Sequence, residues 1–307
     1  MEIKPWTYEE FPELTEEVKG AVRIKTTGDE VGILYHHDVV YGEVDGRKLH
    51  LQIMEPFTRN SPDRKWPALV FVQGSAWMEQ NVYKSCAMMG NLVRRGYVVA
   101  VVQYRHSGIA PFPAQVQDTR NAVRFVRSRG EAYHADTEKI FVGGCSSGGH
   151  AALFSVLAEE ETDMDRSLYP GVSARVCGVL DYYGAVNLLM EEGFPSTENH
   201  HLPDSPEGME MGGKDLRKDR KLAERGTVEC YIAEDTVIPP VMIIHGTKDR
   251  TVSVQQSISL FRKLEACRKP ARLYLLEGAD HGGGEFWTEE VCGLADAFMR
   301  EICTDMG

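Results

Sequence analysis

The sequence predicts an α/β protein, a mostly parallel twisted sheet with helices on both faces, in one domain over residues 1–307. Short runs rich in valine, isoleucine and aromatic residues alternate with longer amphipathic segments along most of the chain. Strands that alternate with helices need crossover connections, and crossovers make neighbouring strands parallel. The apolar runs are continuous rather than alternating, the pattern of strands covered on both faces. With 42% hydrophobic and 26% charged residues, the composition is that of an ordinary globular protein able to bury one large core.

Taken in order, residues 1–37 form an N-terminal extension, in which the acidic stretch Trp6 to Val18 is expected to be helical. Asp38 to Glu43 and Lys48 to Met54 flank Gly46 and read as an antiparallel hairpin at one sheet edge. Leu69 to Gln73, Tyr97 to Tyr104, Ile140 to Gly143, Val176 to Tyr182, Val241 to His245 and Ala271 to Leu276 read as buried strands bounded by turn residues. Helices are expected over Ala114 to Ser128, where Val116, Ala122, Val123 and Val126 recur at helical spacing. Others are expected over Ala151 to Glu160, Val254 to Ala266 and Phe286 to Ile302. Residues 187–237 break the alternation. Phe194-Pro195, Leu202-Pro203, Ser205-Pro206 and Gly212-Gly213 punctuate a charged stretch that reads as a cap or lid insertion. A short charged helix over Asp215 to Arg225 is expected within it.

The chemistry is concentrated in Gly144-Cys145-Ser146-Ser147-Gly148, which follows an apolar run and precedes a helix-compatible one. A serine on such a strand-to-helix turn has its hydroxyl exposed, and the flanking glycines allow the turn to fold back on itself. An activated serine needs a base within hydrogen-bond reach and a carboxylate to orient that base. Downstream, Asp249 follows the strand Val241 to His245, and His281 follows the strand Ala271 to Leu276. Both fall just beyond the carboxyl ends of strands, where open α/β sheets build their sites. Asp249 also reads as a cap for the helix starting near Ser253. Asp280 is a rival acid, but its position next to His281 makes the ring Nδ1 hard to reach. His245 reads as a packed structural histidine, and His150 as a brace for the serine turn. An oxyanion hole needs backbone amides; Ser147, directly after the serine, and Ser75 and Ala76, in the small-residue loop after Gln73, are the candidates.

Composition bounds the alternatives. A formal net charge of −12 disfavours nucleic acid and anionic membrane surfaces as partners. The seven cysteines form no C-x-x-C pair, so neither a disulfide framework nor a zinc ribbon is expected. His36-His37 and His200-His201 lack ligand-spaced partners, and neither a metal nor another cofactor is expected. The start, Met1 to Trp6, lacks the pattern of a signal peptide, and no apolar run approaches the roughly 20 residues of a membrane span. A cytoplasmic protein is the expectation, and a homo-oligomer is left open.

These residues resemble the α/β-hydrolase superfamily, and within it the hormone-sensitive-lipase-like and bacterial feruloyl and acetyl-xylan esterases, over roughly residues 38 to 303. The group's H-G-G-x-W oxyanion loop stands here as Gln73-Gly74-Ser75-Ala76-Trp77. Its G-x-S-A-G-G-H elbow stands as Gly144 to His150, and its F-P-A-Q-x-x-D segment as Phe112 to Asp118. The H-G-x-x-D and x-H-G blocks stand as His245 to Asp249 and Asp280 to Gly282. The resemblance implies a triad of Ser146, Asp249 and His281, and a serine carboxylesterase for short-chain or aromatic acyl esters. Acetyl or feruloyl groups on carbohydrate, as in an acylated oligosaccharide, are the implied substrates. The alternative is an amidase or peptidase on the same fold, of the kynurenine-formamidase kind. The group's histidine and second glycine are Gln73 and Ser75 here, which shifts the expectation for specificity to the residues around the acyl pocket. Gln73, Trp77, Tyr83 and Trp287 are candidates to line it, with a core role for the aromatic ones equally open.

Overall fold

A computed structural model of the chain describes residues 3–158, 162–190 and 193–305. Its centre is one eight-stranded sheet. In chain order the strands are β1 Gly32–Val44, β2 Arg47–Phe57, β3 Trp66–Val72, β4 Val98–Val102, β5 Ala135–Cys145, β6 Val179–Tyr182, β7 Val241–Gly246 and β8 Ala271–Leu276. Their order across the sheet is β1-β2-β4-β3-β5-β6-β7-β8. β2 is antiparallel to β1 and β4, and every other pair is parallel. The helices are α1 Cys86–Arg94, α2 Ala114–Arg129, α3 Ser147–Leu157, α4 Pro206–Glu210, α5 Arg220–Arg225, α6 Val254–Ala266 and α7 Glu289–Asp305.

Side chains alternate across each central strand, so one sheet supports two cores. Val70 and Val72 of β3 pack with α2, α3 and α6 on one face, while Leu69 and Phe71 pack with α1 and α7 on the other. All four are fully buried, which explains why β3 reads as an unbroken apolar run. From β3 the chain crosses to β4 on one side, and from β5 it crosses to β6 on the other. The order therefore reverses between β3 and β5, the kind of position at which open α/β sheets build their sites.

Several expectations are corrected. Trp6 to Val18 is not helical but turns and irregular chain. Pro12 interrupts it, and Tyr8, Phe11, Leu14 and Val18 are all more than half exposed, so no apolar face is buried to offset the ordering entropy. The expected helix over Asp215 to Arg225 shrinks to α5, where the Asp219 side chain accepts the Leu222 amide as N-cap. A single 3-10 turn, Gly284–Trp287, precedes α7, which starts only at Glu289. The helix expected over Ala151 to Glu160 starts earlier, at Ser147, and ends at Leu157; residues 159 and 160 lie outside the described residues. α1 and α4 are additional. Among the described residues, no helix is long and apolar enough to cross a membrane, and no group of three or more histidine, cysteine or acidic residues could hold a metal ion.

Candidate active site

Ser146 sits between β5 and α3 with φ 54° and ψ −127°, a conformation an L-residue holds only when its surroundings impose it. They do so through the backbone. The Ser146 amide donates to the Tyr182 carbonyl (2.9 Å), and its carbonyl accepts from Gly149 (2.9 Å) and Ala185 (3.2 Å). A Cβ on Gly144 would lie 2.2 Å from the Gly148 carbonyl oxygen, and one on Gly148 2.0 Å from that of Val72. Both glycines of the G-x-S-x-G pattern are therefore sterically required.

The loops after β7 and β8 are knitted together, with Lys248 donating its amide to Ala279 at 3.0 Å and Thr247 to Leu276 at 3.0 Å. That contact brings Asp249 and His281, 32 residues apart, to one place. Asp249 Oδ2 lies 2.7 Å from His281 Nδ1, and His281 Nε2 lies 2.9 Å from Ser146 Oγ. Nδ1 donates to the carboxylate, which leaves Nε2 to accept the serine hydroxyl proton. Tyr183 packs edge-on against the His281 ring, with centroids 4.9 Å apart. Asp280 is turned away into an ion pair with Arg250 and keeps its hold on His281 to a backbone amide contact.

The Asp249 side chain is fully buried. Burial alone would raise its carboxyl, but the donors from His245 and His281 outweigh this and hold it well below the usual carboxylate range. His245 is the contributor that sequence reasoning assigned to packing only. Its Nε2 lies 3.0 Å from Asp249 Oδ2 and 2.9 Å from the Val252 carbonyl, both acceptors, which places the proton on Nε2. Nδ1 accepts from Ser257 Oγ at 2.6 Å. The other carboxylate oxygen takes the Thr251 and Val252 amides at 2.9 and 2.8 Å. The spacing of four residues between His245 and Asp249 is the sequence signal for this pairing.

Against the serine turn, the loop after β3 carries Ala76 and Trp77, both left-handed, at φ 55° and 54°, a conformation costing about 1–2 kcal/mol per residue. The Ala76 and Ser147 amides make no hydrogen bond among the described residues. Ser75 departs from its expected place. Its amide, expected as an oxyanion donor, is already committed to Ser147 Oγ at 3.0 Å. Gln73 is buried, its Oε1 accepting from Ser85 at 2.6 Å. Trp77 is buried edge-on to His150, and Trp287 is stacked on Tyr182 at 5.0 Å; both are core aromatics. Tyr83 is half-exposed and donates to Asp38 at 2.6 Å. His150 is fully buried, its Nε2 donating to the Gly226 carbonyl at 2.9 Å and its Nδ1 accepting from Trp77. Burial pushes its pKa down to about 4, so it stays neutral and ties α3 to the 187–237 segment.

With this geometry established, sequence comparison is decisive. The BD-FAE family model matches residues 51–264. The chain belongs to the BD-FAE family. Similar proteins include the esterase LipC of Mycobacterium tuberculosis (strain ATCC 25618 / H37Rv), 25% identical over 88% of this chain and 64% of that protein. Another is a probable isoprenylcysteine alpha-carbonyl methylesterase, ICMEL1, of Oryza sativa subsp. japonica, 26% identical over 87% of this chain and 61% of that protein. The chain thus spans less than two-thirds of the length of these relatives. Among solved structures, a truncated carbohydrate esterase from gut microbiota superposes with TM-score 0.77 at 24% identity, covering 91% of this chain and 99% of that one. The butyrate-bound esterase Est2 of Thermogutta terrifontis superposes with TM-score 0.68 at 23% identity, covering 90% and 94%. These likenesses establish the α/β-hydrolase fold for this member of the BD-FAE family.

Proposed function

We propose that the protein is a serine carboxylesterase acting on short-chain or aromatic acyl esters, chiefly acetyl or feruloyl groups carried on carbohydrate. The observation that carries the reading is the hydrogen-bonded line Ser146–His281–Asp249, with contacts of 2.9 and 2.7 Å. Ser146 Oγ attacks the ester carbonyl carbon as its proton passes to His281 Nε2. The carbonyl oxygen, now an oxyanion, is held by the Ala76 and Ser147 amides, aided by the N-terminus of α3. The imidazolium, paired with the anionic Asp249, then protonates the leaving alkoxide. Water repeats the sequence on the acyl-serine and releases the acid.

The names of the relatives, esterases and a methylesterase, support ester rather than amide bonds as the target. The carbohydrate esterase neighbour supports a sugar alcohol. We assign residues 187–237 as a cap that shapes the alcohol side. It is attached to three parts of the site: the Thr197 amide donates to Arg250 at 2.8 Å, Glu210 accepts from Phe112 at 2.8 Å, and Gly226 accepts from His150. The test is hydrolysis of acetylated and feruloylated xylo-oligosaccharides, p-nitrophenyl acetate and N-formylkynurenine by the wild-type and Ser146→Ala proteins. Turnover of the sugar esters that Ser146→Ala abolishes is expected; turnover of the N-formyl amide in preference to every ester would overturn the reading.

A further inference from the structure

Three hydroxyl groups that the reaction itself does not use meet at the loop after β3: Ser75 on the loop, Ser147 at the start of α3 and Tyr104 just after β4. Ser75 Oγ donates to the Met78 carbonyl at 2.5 Å, and Tyr104 Oη lies 2.8 Å from Ser75 Oγ and 3.4 Å from Ser147 Oγ. Because the Ser75 proton goes to Met78, Tyr104 is the donor in its contact with Ser75. Ser147 Oγ accepts the Ser75 amide at 3.0 Å. Tyr104 and Ser147 are buried, and burial keeps the Tyr104 hydroxyl protonated. The exit of β4 is tied to the same loop a second time. Gln80 accepts the Tyr104 amide at 2.8 Å and donates to the Gln73 and Val102 carbonyls at 2.8 and 3.1 Å.

Two of these hydroxyls stand where the esterase pattern has no hydroxyl: Ser75 replaces a glycine and Ser147 an alanine. The two residues are in direct contact through the Ser75 backbone amide, which donates to the Ser147 hydroxyl, while the Ser75 hydroxyl reaches Met78 and Tyr104. Next to Ser75 lies Ala76, held at φ 55°, in a loop that abuts the nucleophile at Gly74, where an added Cβ would come within 2.7 Å of Ser146 Cβ. We propose that Ser147, Ser75 and Tyr104 form a hydroxyl lock that positions the Ala76 amide for the oxyanion, with the Ser75 amide spent on the lock rather than on the substrate. The proposal rests on the serine-esterase reading. Ser75 and Tyr104 are positioning residues, and the Ser147 side chain is one too, separately from its own amide.

A rigid loop matters because a donor misplaced by about 1 Å costs up to about 10²-fold in rate, and the loss falls on kcat because the oxyanion exists only in the transition state. Ser147→Ala and Ser75→Gly are each expected to lower kcat on p-nitrophenyl acetate about 10-fold, with KM changed less than about twofold. Tyr104→Phe, which keeps the buried ring and hence the packing, is expected to lower kcat about threefold. The double variant Ser75→Gly/Ser147→Ala is expected to lose about 10-fold, not the roughly 100-fold of independent contributions, because the Ser75 hydroxyl and the Ser147 hydroxyl hold the same short loop, both meeting at Tyr104. Loss of thermal stability without a change in kcat would overturn the lock, as would a fully multiplicative double variant. A rise in kcat in Ser147→Ala would overturn it too, since it would show that the freed Ser75 amide serves as a third donor. Stoichiometric labelling of wild-type Ser146 by a fluorophosphonate separates these outcomes from failure of the esterase reading: an unlabelled serine overturns both, a labelled one with insensitive kcat overturns the lock alone.

Discussion

Asp181 gives the sharpest physical prediction. It lies on β6, fully buried, and neither carboxyl oxygen makes a hydrogen bond. Oδ1 is wedged under the serine elbow, where a Cβ on Gly149 would come within 2.2 Å of it and one on Gly184 within 2.3 Å. Burial dominates, opposed only by the nearby Gly184 amide, and pushes its pKa up from 3.8 to about 7. The folded protein therefore binds more protons than the unfolded chain between those values, and stability falls as pH rises through that window. At 1.36 kcal/mol per unit, the loss attributable to Asp181 between pH 4 and pH 8 is about 4 kcal/mol. Asp181→Asn removes the titration and keeps the shape. With an unfolding entropy of roughly 2.1 cal/mol/K per residue, the difference in Tm between variant and wild type should grow by roughly 6 °C from pH 4 to pH 8. Calorimetric scans of both proteins across that range read it directly. Parallel curves would refute the reasoning, because a carboxyl that titrates normally is not buried without partners. Asp249 leaves this comparison undisturbed: its carboxyl is depressed, so its contribution is present above the unfolded value and is lost only as pH falls below it.

Other predictions follow from the same contacts. Asp249→Asn should lower kcat by about 10³–10⁴ on p-nitrophenyl acetate, since the amide no longer fixes the His281 tautomer or balances its cation. Steady-state rates check it, with circular dichroism confirming the fold. Gly149→Ala should destabilise the protein by roughly 1–3 kcal/mol, because its Cβ would also meet the Gly184 backbone at 2.9 Å; a urea midpoint measures this. Asp118→Ala should cost roughly 3–5 kcal/mol, because it leaves Arg105, paired with Asp118 at 2.9 Å and almost fully buried, with only the exposed Asp45 carboxylate, 4.0 Å away, as a counter-ion. Chemical unfolding of that variant is the check.

The sheet was legible because its strands are buried on both faces and so carry long valine-rich runs: β4, β7 and β8 fall within two residues of where the apolar runs place them, and β3 starts three residues earlier, at Trp66. Trp6 to Val18 resembles a helix in its acidic composition but does not form one, because Phe11, touched only at its edge by Trp6, and Leu14 stay more than half exposed. Ser146, Asp249 and His281 were legible as positions after strands, since chain order and strand ends constrain them. The partners that set their electrostatics were not. His245 reaches Asp249 and Tyr104 reaches Ser75 through side-chain directions that depend on strand register and packing. Trp77 and Trp287 were ambiguous for the same reason: a large aromatic near a site has the same sequence signature whether it lines a pocket or, as here, fills the core.

The central claim is that Ser146 is a nucleophile activated through His281. The most direct measurement is mass spectrometry of the tryptic digest after reaction with a fluorophosphonate, on wild-type and His281→Ala proteins. The account predicts one phosphonyl group per chain on the peptide containing Ser146 in the wild type, and labelling slowed by at least about 10³-fold in the variant. Labelling at another residue, or equal rates in the two proteins, would contradict it.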